Sequence, residues 1–178
     1  MWSTLASRDV YENAWIRVRE DEVRRPDGTP GVYGVVEVRS PAVFVVAVTD
    51  DDAILLVTLD RYTTGRPSIE VPAGGSDGED LLVAARRELR EETGHEAAHW
   101  RALGEVQSLN GVAAAPGRVF LATALTLVGG AELEAEGIDA VRAVPAAEVL
   151  AMLGRGDITD NETLGALLLA FVALGRVS

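Results

Sequence analysis

The chain has 178 residues, of which 48% are hydrophobic and 25% are charged, and these proportions are typical of a folded globular protein. Its formal net charge of -12 excludes a nucleic-acid backbone or an anionic membrane as the main partner, because both bind basic surfaces. The sequence has no cysteine, which excludes disulfides, zinc thiolates and thiol catalysis. It has neither a signal-peptide pattern nor an apolar run of membrane-spanning length, so we expect a cytoplasmic protein.

The first part of the chain is predicted to form strands. Residues 15–38 have the pattern of a β-hairpin of two strands around the turn RRPDGTPG. The continuous apolar runs PAVFVVAV and AILLVTL, separated by the acidic turn 50–52, predict buried strands of a larger sheet. The segment SIEVPAGG then predicts a short strand that ends in a loop of proline and glycine.

An amphipathic helix is predicted over residues 80–93. Its apolar residues, such as Ala85 and Leu89, fall on one stripe, with Asp80 as the N-cap and Gly94 as the C-cap. Arg87 and three closely spaced glutamates lie on this helix.

The remaining segments complete one mixed α/β domain. ALGEVQSL, RVFLATALTLV and AVRAVP are predicted as strands and AAEVLAMLGRG as a short helix. A last helix over 161–174, capped by Asp160, places Leu168 among the apolar residues that close the core. Because no repeat or linker-like composition shift is visible, we interpret residues 1–178 as a single domain, with N-terminal strands in residues 1–40.

Three glutamates crowd the predicted helix within about one turn. Glu88 and Glu92 are four residues apart and Glu91 is three from Glu88, so all three lie close together. Like charges at this spacing cost roughly 0.2–0.5 kcal/mol per pair. One interpretation is a solvated helix face, whose charge is spread by neighbouring arginines. The other is a carboxylate cluster for a hard divalent cation such as Mg²⁺, which binds oxygen ligands and substrate phosphates.

The loop before the helix favours the metal interpretation. Glycines at 74, 75 and 78 follow Pro72, so bare backbone can approach a ligand there. A metal would also explain how a strongly acidic protein binds an anionic phosphate compound.

These residues form a recognisable motif. The chain resembles the Nudix hydrolases, whose box is G-x5-E-x7-R-E-U-x-E-E-x-G-U, with U an apolar residue. The matching residues are Glu79, Arg87, Glu88, Leu89, Glu91, Glu92 and Gly94. Two positions differ, since only four residues separate Gly74 from Glu79, and His95 takes the last apolar position. The segments DRYTTGRP and IEVPAG and the closing helices are similar to those of ADP-ribose pyrophosphatases.

The resemblance implies a fold and a metal site. The expected fold is a Nudix-type α/β/α sandwich with a mixed sheet and an N-terminal β-hairpin. Glu88 and Glu92 would be the principal Mg²⁺ ligands, and Mn²⁺ could substitute for Mg²⁺. Glu91 would be a catalytic residue and a third or water-mediated ligand, and the main-chain carbonyl of Ala73 would also bind a metal.

It further implies roles for residues around the metal. Arg87 would hold the carboxylates, and Glu79 would orient Arg87. The acidic loop GGAELEAEGID would supply a catalytic base or extra ligand, for which Glu134 and Glu136 are favoured over Glu132.

The expected substrate-binding residues lie in the two segments that precede the box. Arg61 would contact a phosphate, and Glu70 would line the same pocket.

The implied reaction is Mg²⁺-dependent hydrolysis of the pyrophosphate bond of a nucleoside diphosphate derivative, such as ADP-ribose or a nucleotide sugar. At the position of a proline that ADP-ribose enzymes often carry, this chain has Asn110, and Ala115 stands where a glutamate often follows. Nucleoside triphosphates therefore stay open as substrates, and so does a non-catalytic Nudix-like sensor of a nucleotide metabolite. The resemblance also implies a homodimer, with residues 1–40 as the candidate contact.

Overall fold

A computed structural model describes residues 1–177 as eleven strands and four helices. The strands are β1 (Ser3–Glu12), β2 (Ile16–Arg24), β3 (Pro30–Val38), β4 (Ala42–Ala47), β5 (Ala53–Arg61), β6 (Arg66–Glu70), β7 (Ala73–Gly75), β8 (His95–Gln107), β9 (Ala113–Ala114), β10 (Pro116–Leu127) and β11 (Ile138–Pro145). The helices are α1 (Leu81–Thr93), α2 (Leu133–Glu136), α3 (Ala146–Arg155) and α4 (Asn161–Ala173).

A mixed sheet lies at the centre of the fold, in the strand order β7-β4-β10-β8. Strand β10 pairs parallel with β4 and antiparallel with β8, while β7 pairs antiparallel with β4. A second sheet, β11-β5-β6, is wholly antiparallel. The predicted mixed α/β class is therefore confirmed.

Helices cover both faces of the central sheet because its strands are apolar on both sides. Along β4, Val43 and Val45 pack with α1, whereas Phe44 and Val46 pack with α3 and α4. This alternation follows from the two-residue period of a strand, and it produces the predicted α/β/α sandwich.

The predicted helix caps are present. The Asp80 carboxylate accepts hydrogen bonds from the backbone N–H groups of Leu82 and Val83, at 2.9 and 3.3 Å. Gly94 ends α1 in the left-handed conformation, at φ 71°. Asp160 likewise caps α4, accepting from the Thr163 N–H at 2.7 Å.

Leu168 corrects one part of the sequence analysis, because it is 58% exposed rather than in the core. The helix α4 is apolar on most of its circumference, so the spacing of its leucines alone does not identify the buried side.

The N-terminal strands form a larger unit than the predicted hairpin. Strand β1 pairs antiparallel with β2, from Ser3 opposite Arg24 to Glu12 opposite Arg17. The sheet order is β1-β2-β3-β9, so the predicted two strands are joined by two more. All ten residues of β1 are exposed, which explains why its sequence has no apolar pattern to identify it.

Three further segments differ from the sequence prediction. SIEVPAGG divides into β6 and β7, and the strand expected from ALGEVQSL begins much earlier, at His95. The acidic loop GGAELEAEGID contains the helical turn α2. The three strands form by backbone pairing with β5, β4 and β10, and the start of α2 is held by a hydrogen bond to α1, so local composition reveals neither the pairing nor the contact.

The N-terminal sheet is tied to the rest of the chain through β9. Val36 lies opposite Ala113, and the Tyr33 hydroxyl donates a hydrogen bond to the Gly111 carbonyl at 2.7 Å. The interpretation of residues 1–178 as one domain stays a prediction. No helix within residues 1–177 is long and apolar enough to cross a membrane.

Candidate metal and substrate site

Helix α1 presents its glutamates at one end of the central sheet. Ala85 and Leu89 are fully buried and anchor the helix against that sheet. The adjacent turns place Glu88 and Glu92 against the loop before the helix, where they are only 5% and 6% exposed. Two carboxylates are thus held out of water, which is costly unless they are paired or bind a cation.

Arg87 connects the loop and the helix. Its Nη1 donates to Glu88 Oε1 at 2.7 Å and to Glu91 Oε2 at 3.0 Å. Its Nε donates to Glu79 Oε2 at 3.0 Å, and its Nη2 donates to the Gly75 carbonyl at 2.8 Å. Burial acts to lower the Arg87 pKa, but the hydrogen bonds and charges of these carboxylates raise it overall. The structure therefore brings together Glu79, Arg87 and the glutamates of α1.

Glu92 has a different partner. Its Oε2 accepts a hydrogen bond from the Ala73 backbone N–H at 3.0 Å. Burial, together with the charges of Glu88 and Glu136, raises the Glu92 pKa to about 8, although this hydrogen bond acts to lower it. Burial also raises the Glu88 pKa, while the neighbouring Arg87 opposes that rise. The predicted metal contact of the Ala73 carbonyl stays a prediction.

The donor set fits a hard cation. Glu88, Glu91 and Glu92 each keep one carboxylate oxygen without a hydrogen bond from residues 1–177, although the Glu88 and Glu92 side chains are largely buried. Carboxylate oxygens are the ligands that Mg²⁺ prefers. Across residues 1–177, no three acidic or histidine side chains already converge as a finished metal site. The carboxylate oxygens are thus suitable Mg²⁺ ligands, and in this structure Arg87 holds the carboxylates of Glu88 and Glu91 in place.

Gly74 makes room for the Glu88 carboxylate. A Cβ atom built at residue 74 would lie 2.6 Å from Glu88 Oε2 and closer still to Glu88 Oε1. Real Cβ atoms do not approach that closely, so the Glu88 carboxylate can occupy this position only if residue 74 is glycine. Although the loop is one residue shorter than the family pattern, it still places Gly74 next to the Glu88 carboxylate.

The two candidate bases lie on α2, in different surroundings. The Glu132 N–H donates to the Glu91 carbonyl at 2.7 Å, which fastens the start of α2 to α1. The charge of Glu136 raises the pKa of both Glu88 and Glu92, so this residue lies close enough to the cluster to act on it electrostatically. Glu134 instead lines a shallow depression with Glu132 and Leu133.

Arg61 and Glu70 form an ion pair in a cavity beside the cluster. Arg61 Nε and Nη2 donate to the two Glu70 oxygens, at 2.8 and 2.5 Å, and Glu70 is only 4% exposed. The pair raises the Arg61 pKa, and the charges of Asp160 and Glu92 add to this effect. Within residues 1–177, Arg61 Nη1 has no hydrogen-bond acceptor and is free to bind a phosphate.

The cavity has a volume of about 440 Å³ and a polar lining. Besides Arg61 it contains a second guanidinium, from Arg66, and several hydroxyl and carboxamide groups. These polar residues are Thr63, Thr64, Ser68, Ser108, Thr159 and Asn161. Asp160, predicted only as a helix cap, also lines this cavity, and burial raises its pKa. No local pattern indicates that Asp160 lines a cavity, because this depends on how the fold brings the start of α4 near Arg61.

Comparison with known proteins identifies two sequence families along the chain. Residues 2–36 match the nucleoside diphosphate sugar hydrolase N-terminal domain, and residues 38–164 match the NUDIX domain. The second match covers all of α1 and the carboxylate cluster.

The relatives that this chain matches over most of their length include two named enzymes. An ADP-ribose pyrophosphatase of Mycobacterium tuberculosis is 35% identical over 170 residues, covering 94% of this chain and 82% of the relative. A CMP-5'-(N-acetyl-N-hydroxy-3-aminopropyl)phosphonate hydrolase of Streptomyces rubellomurinus is 30% identical over 177 residues, covering 98% and 84%. The fold is similar to the crystal structure of an ADP compounds hydrolase, with a TM-score of 0.85, 23% identity and coverage of 99% and 97%.

We predict that Gly74→Ala lowers Mg²⁺ affinity about 10- to 100-fold, because the added methyl group displaces the Glu88 carboxylate. Isothermal titration calorimetry with Mg²⁺ measures the effect. Gly154→Ala is the matched control, since a Cβ atom at residue 154 meets nothing within 4 Å. Equal Mg²⁺ affinity of the two variants would show that Glu88 is not a ligand.

We also predict a pH dependence of stability in the presence of EDTA. The folded state raises the Glu92 pKa from 4.5 to about 8, so it binds a proton more tightly than the unfolded chain. The free energy of unfolding should therefore fall as the pH rises from about 4.5 to about 8, by on the order of a few kcal/mol. Urea unfolding measures this slope, and Glu92→Gln should flatten it. Parallel slopes in the two proteins would contradict the assignment to Glu92.

Proposed function

The chain belongs to the Nudix family and is a Nudix pyrophosphohydrolase, and from this premise we propose that it hydrolyses ADP-ribose or a closely related nucleotide sugar. The observation that carries the proposal is the position of the Arg61 cavity beside the carboxylates of α1. A substrate with two linked phosphates and a sugar can occupy the cavity while its pyrophosphate lies at the carboxylates.

The proposed reaction breaks one bond between phosphorus and the bridging oxygen. Water attacks one phosphorus atom, and the bridging oxygen leaves with the other phosphate. The water oxygen stays on the attacked phosphate, and its protons pass to a base and to solvent. With ADP-ribose, the products are adenosine monophosphate and ribose 5-phosphate.

Mg²⁺ is the proposed cofactor, and Mn²⁺ is its proposed substitute. Glu88 and Glu92 would hold the metal, with Glu91 as a further ligand and Ala73 contributing its main-chain carbonyl. When bound, the metal supplies positive charge that neutralises the phosphate oxygens and activates water.

Arg87 and Glu79 act as positioning residues in this proposal. Arg87 contacts both Glu88 and Glu91, so it fixes their orientation without contacting the substrate. Glu79 holds Arg87 from the loop through a charge-assisted hydrogen bond of 3.0 Å. Of the two candidate bases, Glu136 is favoured, because its charge acts on the cluster from across the site.

The Arg61 cavity supports a phosphorylated sugar as part of the substrate. Guanidinium groups bind phosphate, and the hydroxyl and carboxamide groups of the lining match the hydroxyls of a ribose. Glu70, already paired with Arg61, would set the orientation of that guanidinium. The names of the relatives, which include ADP-ribose pyrophosphatases of Mycobacterium tuberculosis and Bacillus subtilis, support the same substrate class.

A substrate panel tests the proposed function. ADP-ribose, nucleotide sugars and nucleoside triphosphates are incubated with Mg²⁺, with Mn²⁺ and with EDTA, and products are separated by chromatography. We expect adenosine monophosphate from ADP-ribose with Mg²⁺ and none with EDTA. Faster cleavage of triphosphates would favour a nucleoside triphosphate hydrolase, and binding without cleavage would favour the sensor.

Substitutions of the carboxylates should separate their roles. We predict that Glu88→Gln and Glu92→Gln each lower turnover by about 100-fold or more, because each removes a proposed metal ligand. Glu136→Gln should lower kcat by about 100-fold while KM changes little, as expected for loss of a general base. Glu134→Gln, on the same short helix, is the matched control and should retain activity. A larger loss with Glu134→Gln would reverse the assignment of the base.

The exposed N-terminal strand supports a homodimer. Strand β1 is the edge of its sheet and carries large apolar side chains that are half or more exposed. These residues are Leu5, Val10 and Tyr11, with Trp2 just before the strand and Trp15 after it. A second copy of the chain would bury this edge and its apolar groups. The cytoplasmic location stays a prediction from the sequence.

We predict that the protein sediments as a dimer at micromolar concentration and that Leu5→Asp together with Val10→Asp yields a monomer, because both side chains are more than half exposed on β1. Sedimentation velocity measures the change. Val172→Asp, at an equally exposed apolar residue of α4, should leave the dimer intact. A monomeric wild-type protein would exclude this interface.

A further inference from the structure

A second cavity lies on the other side of α1, between the helix and the first half of β8. Its volume is about 530 Å³, larger than that of the Arg61 cavity. It is lined by three arginines, two glutamates and a tryptophan, together with Ala97. The charged and aromatic residues are Arg86, Arg87, Arg90, Glu91, Glu96 and Trp100. Only Arg87 and Glu91 are shared with the carboxylate cluster.

The two remaining arginines have unused hydrogen-bonding capacity. Arg86 and Arg90 are four residues apart, so they lie on one face of α1, one turn from each other. Whereas Arg87 is bonded to three carboxylates, neither Arg86 nor Arg90 forms an ion pair or side-chain hydrogen bond within residues 1–177. In a chain with a net charge of -12, this is a local positive site facing a cavity.

Trp100 forms the aromatic wall of this cavity. Its indole N–H donates to the Ala97 carbonyl at 3.0 Å, and its ring meets Phe120 edge to face, with centroids 6.3 Å apart. These contacts hold the ring in place. The Arg86 guanidinium lies over the ring, with its central carbon 5.9 Å from the ring centroid. A fixed aromatic face therefore lies next to unpaired guanidinium groups.

We propose that this cavity is a second binding site for a nucleoside monophosphate. Arg86 would turn away from the Trp100 ring to bind the phosphate together with Arg90 by charge-assisted hydrogen bonds, and the ring face it leaves would stack with the base. Glu96, at the rim, disfavours a longer polyphosphate chain by repulsion and can accept a hydrogen bond from an amino group of the base. The site is separate from the Arg61 cavity, and binding there requires neither Mg²⁺ nor hydrolysis.

The shared residues couple this cavity to the carboxylate cluster. A phosphate beside Arg86 and Arg90 also attracts Arg87, which holds Glu88 and Glu91. Occupancy of the cavity therefore competes with those two carboxylates for the Arg87 guanidinium. By linkage, such a ligand and a metal on the carboxylates change each other's affinity by the same factor.

Fluorine NMR of protein labelled with 5-fluorotryptophan tests the proposal. The chain has three tryptophans, and Trp2 and Trp15 lie in the N-terminal region as internal references. Phenylalanine substitutions assign the three signals. In EDTA, adenosine monophosphate should shift the Trp100 signal saturably, and this shift should persist in Arg61→Ala, in which the other cavity is impaired.

Arginine substitutions supply the decisive comparison. Arg86→Ala and Arg90→Ala should each weaken binding at least about tenfold, consistent with loss of a charge-assisted contact. Arg101→Ala is the matched control, because Arg101 is exposed on the same strand as Trp100 but does not line the cavity. An unshifted Trp100 signal, or binding unchanged in both arginine variants, would overturn the site. Equal affinity for inorganic phosphate and adenosine monophosphate would overturn the proposed ligand class.

Discussion

The contacts of Arg87 organise the candidate site. Four groups converge on this one guanidinium, namely the carboxylates of Glu79, Glu88 and Glu91 and the Gly75 carbonyl. Without it, buried carboxylates would repel one another on a single helical face and would not be oriented toward the loop. Because the planar guanidinium offers several donors in fixed directions, it joins the loop to the helix in a way that lysine could not reproduce. The chain contains no lysine at all.

One face of helix α1 is apolar and packs on the sheet, and another face carries the glutamates of the candidate site. Ala84, Ala85 and Leu89 are fully buried against the sheet, and this packing offsets the cost of holding Glu88 and Glu92 away from water. The close approach of the loop adds a further constraint, since a side chain at residue 74 would occupy the space of the Glu88 carboxylate. Packing, loop length and charge are therefore interdependent around one turn of helix.

Because the chain is strongly acidic, a phosphate compound can bind at only a few places on its surface. A phosphate compound is repelled by most of the surface, so its binding depends on local positive charge. In one cavity Arg61 and Arg66 carry positive charge among three acidic residues, Glu70, Asp160 and Glu162, whereas in the other Arg86 and Arg90 have no ion-pair partner within residues 1–177. The difference between the two cavities is chemical, because the first is lined by hydroxyl groups and the second by an aromatic ring. Helix α1 lines only the second cavity, through Arg86, Arg87, Arg90 and Glu91.

Features that depend on short spacing along the chain were predictable from the residues alone. The bounds of α1, its caps at Asp80 and Gly94, and the grouping of Arg87 with its carboxylates all follow from the helical period and cap chemistry. The position of α2 beside α1 required the folded structure, since it depends on the hydrogen bond from the Glu132 N–H to the Glu91 carbonyl. The folded structure also decided that β1 is a strand and that Asp160 lines a cavity. Those outcomes depend on contacts between residues far apart in sequence, which no local pattern contains.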